Sequence, residues 1–156
     1  MSTMPKLNFS KWMSWVKRLN FAGGENPGIY MISITEKDLE GKDPQYQDVV
    51  YIGMTNSRGG LFNRWQQFDN SIKSDKITGN GHSGGDRVYE EMKCSYDDWK
   101  KKLNLFVCGQ AIQCNTTKAD RTPDDLVKMG EIRYLECLAI SEFKKAMDKE
   151  PKYNKQ

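Results

Sequence analysis

A chain of 156 residues and 18.0 kDa is one domain's worth, and 37% hydrophobic residues with 11% aromatics suffice for a core and exceed what a disordered chain carries. Twenty-four basic against 21 acidic residues leave a net charge of +3, far from a histone-like polycation, so charge permits a nucleic-acid partner without demanding one. No run approaches the ~18 apolar residues of a membrane span, and Lys6, Lys11, Lys17 and Arg18 interrupt the N-terminus where a secretory signal would be apolar.

In chain order, Phe9, Trp12, Val16 and Leu19 recur at helical spacing and predict a helix over 8–20, ended by Gly23-Gly24. Docking on the core is its simplest role. Its basic residues also admit contact with a partner. Pro27 then introduces a β-rich run, Gly28 to Thr35, and a polar turn over 36–47 leads to a second strand, Val49 to Met54. This is the pattern of an antiparallel pair. Leu61, Phe62, Trp65 and Phe68 predict a helix over 61–69. Residues 70–86 are polar and glycine-rich and read as a loop, with His82 expected in solvent there. A short helix over 86–93 and a third strand over 103–108 follow. Thr122-Pro123-Asp124-Asp125 is a strong helix start, with a Thr cap, Pro at the first position and acids in the first turn, for a helix running to about 149 and stopped by Pro151. The sum is an α+β fold: a small three-stranded antiparallel sheet flanked by helices, with an extra N-terminal helix.

Cys94, Cys108, Cys114 and Cys137 lack the spacing of paired zinc knuckles, and without a secretory signal they read as reduced thiols of an intracellular, cytoplasmic protein. One histidine, with no nucleophile elbow near it, argues against a Ser-His-Asp or Cys-His site.

On the last helix Glu136 shares a face with Met129, Ile132, Ile140, Phe143 and Met147, all apolar. A carboxylate in that stripe needs a partner or a cation. Glu131 falls about 140° away and is expected in water. Arg64 lies at the edge of an apolar helix face, where its stem can rest on the core and its guanidinium can reach a phosphate.

Gly28-Ile29-Tyr30 opens the first strand and Tyr51-Ile52-Gly53 lies in the second. Arg64 follows Gly53 by eleven residues in the next helix, Glu136 lies in a later helix, and Pro151-Lys152-Tyr153-Asn154 closes the chain. Together these resemble the GIY-YIG nuclease superfamily over residues 27–154. Residues 1–26 become an N-terminal helical extension and 27–156 the nuclease-like domain. The resemblance implies a metal-dependent DNA endonuclease, of restriction type or structure-selective in repair or recombination. Its site would be Tyr30, Tyr51, Arg64, Glu136 and Asn154, with Glu136 holding one Mg²⁺ (or Mn²⁺). Arg64 would stabilise developing negative charge, and Asn154 would fix the geometry through hydrogen bonds. Tyr30 is favoured as general base and Tyr51 as the phosphate or water ligand, an order the sequence leaves open.

The chain also departs from the family. The stretch between the tripeptides is long, and Phe68 occupies a position where some members carry a polar helper, a role His82 could take from the glycine-rich loop unless it is solvated there. Lys73, Lys76, Arg87, Lys93 and Lys100 to Lys102 are candidates for a DNA groove. Candidate assemblies are a homodimer and a protein partner docked through the N-terminal helix. The alternatives to an enzyme are a catalytically silent nucleic-acid-binding module of the same fold and an interaction domain.

Overall fold

A computed structural model of the chain describes residues 4–74 and 81–155. Four strands form one antiparallel sheet: β1 (Met13–Ser14), β2 (Gly28–Thr35), β3 (Tyr51–Thr55) and β4 (Asn104–Ala111), in the order β1-β4-β2-β3. β2 is the central strand. It pairs with β4 from Gly28↔Ala111 to Thr35↔Asn104 and with β3 from Gly28↔Thr55 to Ile32↔Tyr51. β3 is therefore an edge.

Helices cover both faces. α1 (Gly60–Lys73), α2 (Ser83–Met92) and α3 (Tyr96–Trp99) lie on one side and α4 (Pro123–Met147) on the other. The alternation of β2 follows from this layering. Tyr30 and Ile32 pack with Leu61, Trp65, Phe68 and Val88, whereas Met31 packs with Ala139 and Phe143, and Ile29 with Ile132 and Leu135. Burial on both faces explains why the strand reads as a nearly continuous apolar run.

The three-stranded expectation is corrected at the N-terminus. The segment 8–20 forms no α-helix. It runs extended to Ser14, adds β1 to the β4 edge through Met13↔Val107 and Ser14↔Phe106, then coils into a 3-10 helix over Trp15–Asn20. Trp12 and Trp15 are buried on opposite faces of the sheet, while Val16 (76% exposed) and Leu19 (63%) face solvent. A helix on the expected stripe would have left Trp15 outside. Burying two indoles outweighs the weak helical preference of the segment. The indole N–H of Trp15 donates to Asp69 at 2.8 Å, which anchors the segment to α1.

Other boundaries shift. α1 continues through Lys73 and α2 begins at Ser83, so the expected loop over 70–86 is largely helical at both ends, and its middle, residues 75–80 with Lys76 and Gly79, lies outside the described residues. α3, absent from the sequence reading, buries Tyr96 and Trp99, whose rings meet edge-on at 4.9 Å. α4 starts as expected. The Thr122 side chain accepts from Asp125 N–H, and the Asp125 carboxylate accepts from Thr122 N–H, a reciprocal capping box. It ends at Asp148, which takes the left-handed conformation. No helix among the described residues is long and apolar enough to cross a membrane.

Candidate functional site

The β2–β3 register decides what the two tripeptides build. Tyr30 stands opposite Gly53, and Tyr51 is Gly53's neighbour on the same face two residues along β3. A Cβ at Gly53 would lie 2.6 Å from the Tyr51 ring and 2.7 Å from the Tyr30 hydroxyl. Only glycine leaves room for both phenols over that position. Their ring centroids are 6.0 Å apart. Tyr30 is 0% exposed, and Tyr51 is 9% exposed.

α1 brings Arg64 to the phenols. Its Nη1 donates to Gln67 Oε1 at 2.7 Å, and the guanidinium is within hydrogen-bonding reach of Tyr30 and within electrostatic reach of Tyr51 and Glu136. Burial pushes the Tyr30 hydroxyl well above its usual range, and the Tyr51 hydroxyl opposes its ionisation further, while Arg64 pulls the other way. Burial also raises Tyr51, against Arg64 and against a hydrogen bond from Tyr30.

Glu136 comes from the other side of the sheet. The buried seam of α4 is Ile132, Leu135, Ala139 and Phe143, and Glu136 flanks it, half-buried. It reaches the tyrosines around the free edge of β3. Burial raises its carboxyl above the usual range, while Arg133 and Arg64 lower it. It forms no hydrogen bond or ion pair with another described residue. Its counterpart Glu131 is half-exposed rather than fully solvated.

The C-terminal tail closes the first half of that edge. Asn154 Oδ1 accepts from Ile52 N–H at 2.9 Å and Asn154 Nδ2 donates to Ile52 C=O at 2.8 Å, so one side chain mimics a neighbouring strand next to Tyr51. Tyr153 N–H donates to Val50 C=O at 2.9 Å, and the Tyr153 hydroxyl bonds the Glu91 carboxylate. Arg64 thus lies near Tyr30, Tyr51 and Glu136, while Asn154 braces β3 beside Tyr51 and Tyr30 sits behind on the central strand.

The sequence reading misplaced His82. It is buried, at 1% exposure, not solvated. It is the N-cap of α2: its Nδ1 accepts from Gly84 N–H at 2.9 Å and Gly85 N–H at 3.2 Å, and its backbone N–H donates to Ser71 Oγ at 2.7 Å. Its Nε2 lies 2.6 Å from the Tyr30 hydroxyl. Its ring packs edge-on against Tyr51 and Phe68, with both centroid distances 5.2 Å. Burial, with Arg64 nearby, pushes its pKa from 6.5 down to about 3, so the imidazole is neutral. The readable signal was the pair of glycines behind it. A Cβ at Gly84 would stand 2.6 Å from the Tyr51 ring, so Gly84-Gly85 marks close packing rather than a floppy loop.

Several candidate DNA contacts are committed inside the protein. Lys73 pairs with Asp69 at 2.9 Å, Lys100 pairs with Asp97 at 2.9 Å, and Arg87 donates to Tyr153 C=O at 2.6 Å. Lys93, Lys101 and Lys102 are exposed.

Glu136 is a half-buried carboxylate with no hydrogen bond or ion pair to another described residue, and so could serve as one oxygen ligand of a hard cation that keeps most of its waters. Among the described residues no group of three or more His, Cys, Asp or Glu side chains gathers, so Glu136 would be its protein ligand. No family model, curated protein or solved structure matches the chain.

Proposed function

We propose that the chain is a GIY-YIG-like, divalent-metal-dependent DNA endonuclease that hydrolyses phosphodiester bonds. The observation that carries this reading is that Arg64 lies within electrostatic reach of Tyr30, Tyr51 and Glu136 alike, with the two phenols side by side over Gly53. Half-burial of the Glu136 carboxylate costs free energy, and burial raises its carboxyl against the pull of Arg133 and Arg64, which supports a cation as its missing partner.

Mg²⁺ or Mn²⁺ held by Glu136 would supply charge neutralisation at the phosphoryl group and an acidified water. Arg64, already aimed past Tyr30, places a permanent positive charge where a phosphate oxygen becomes more negative. Tyr51, the more open phenol, contacts the phosphate or the attacking water, and Tyr30 supports it from behind. Asn154 holds the β3 backbone in register so that Tyr51 keeps its place. Tyr30 and Tyr51 are held by packing and Arg64 and Asn154 by hydrogen bonds, which limits reorganisation in the transition state.

The test is incubation of purified protein with plasmid and branched DNA, with and without Mg²⁺, beside Glu136→Ala. Metal-dependent cutting that Glu136→Ala abolishes is expected. Retention of DNA without cutting would replace the reading with a silent binding module, and no affinity at low salt would leave an interaction domain. Discrete fragments mark restriction-type specificity, and cutting confined to branch points marks structure selectivity.

A further inference from the structure

His82 is the one buried polar group of this cluster that the proposed chemistry leaves unused. Its hydrogen bonds fix its tautomer. Two backbone N–H groups, from Gly84 and Gly85, point at Nδ1, so Nδ1 carries a lone pair and no proton. The ring is neutral, held so by burial and by the nearby charges of Arg64 and Arg87. Its one N–H is therefore on Nε2, and at 2.6 Å that N–H donates to the Tyr30 oxygen. Tyr30 receives this bond on one lone pair, with the Arg64 charge nearby. Its own hydrogen is left to point away from the imidazole, on the side where the Tyr51 ring lies with its centroid 6.0 Å away.

We infer that His82 is a positioning residue: by capping α2 through Nδ1 and donating through Nε2, it fixes the Tyr30 oxygen as an acceptor from the core and leaves the Tyr30 hydrogen to be donated on the Tyr51 side. This makes Tyr30 a giver of a hydrogen bond at the site, not its proton acceptor. It also ties the start of α2 to the centre of the sheet through a single imidazole. The hydrogen-bond assignment stands on geometry alone, and its catalytic consequence rests on the endonuclease reading.

The chain's sole histidine makes the test direct, because its imidazole nitrogens are the only ones in a ¹⁵N spectrum. In the intact protein the spectrum is expected to show a protonated Nε2, a bare Nδ1 and no titration near pH 6.5. In Tyr30→Phe the Nε2 proton should shift and exchange faster while Nδ1 stays unchanged. A protonated Nδ1, or an Nε2 signal indifferent to Tyr30→Phe, would overturn the assignment. For the catalytic half, His82→Asn keeps a cap-forming side chain and loses the reach to Tyr30. It should lower kcat about ten-fold, the size of one lost hydrogen bond, at unchanged KM. The double variant with Tyr30→Phe should be no slower than Tyr30→Phe alone. Multiplicative losses would overturn the positioning role. Absence of cutting by the unsubstituted protein would instead strike the endonuclease reading, and the spectrum would still decide the bond.

Discussion

The two faces of the sheet meet at the β3 edge in opposite states. On the α1–α2 side, Tyr30, Tyr51 and His82 are tightly packed, with the imidazole bonded at both nitrogens. On the α4 side, Glu136 flanks an apolar seam and has no described hydrogen-bond partner. One face is finished and the other is left incomplete. The finished face supplies geometry, which only pays as catalysis if it costs no rearrangement. The other face leaves Glu136 half-buried with no hydrogen bond or ion pair to another described residue, an arrangement that costs stability unless something else meets the charge.

The contrast can be broken most forcefully at its two charged poles. Glu136→Ala and Arg64→Ala should each lower metal-dependent cutting about 10³-fold or more with little change in DNA retention, measured by initial rates on plasmid DNA. Gly53→Ala should disturb the finished face without touching a charge. The added methyl meets both phenols, so a loss of about 1–3 kcal/mol in urea unfolding is expected, with cutting impaired in parallel.

Acid should separate the faces. His82 binds no proton in the folded state until about pH 3, whereas the unfolded chain protonates it near 6.5. The unfolded state therefore holds more protons in that window. The His82 contribution to stability is present above about pH 6.5 and is lost as pH falls toward 3. Urea midpoints across this range should fall more steeply in the parent than in His82→Asn. Removing the Asn154 clamp with Asn154→Ala leaves the two Ile52 backbone groups without their partner and should cost about 1–2 kcal/mol by the same measurement. The smallest effect has the opposite sign. Glu136→Gln should raise stability in the absence of metal by about 1 kcal/mol or less while abolishing cutting, because it removes a charge that burial disfavours. A destabilised Glu136→Gln would mean the carboxylate has a partner within the fold.

Much of this was legible from residue order. The strand runs, the α4 capping box and the sharing of a face by Glu136, Ile132 and Phe143 follow from local periodicity, which neighbours in sequence dictate. What escaped depended on long-range contacts. Phe9, Trp12 and Val16 satisfy a helical period, yet the segment lies against β4, and burying Trp12 and Trp15 on opposite faces requires an extended chain there. His82 had only the following Gly84-Gly85 pair to mark it locally. Its environment is made by Tyr30, Tyr51, Phe68 and Ser71, eleven or more residues away in every case. Of the candidate site, the five residues were proposed from motif order alone, whereas the placing of Tyr30 and Tyr51 side by side over Gly53 came only from the strand register.

The Asn154 clamp also bears on how the protein behaves in concentrated solution. A bare edge strand offers its backbone to any other chain with a strand to spare. Asn154 and Tyr153 occupy the Val50 and Ile52 positions of that edge, so the tail acts as a stopper against self-recruitment as well as a brace for Tyr51. A chain cut back to Lys149 would expose this stretch of backbone, and light scattering on heating should detect its aggregation below the temperature at which the intact chain unfolds.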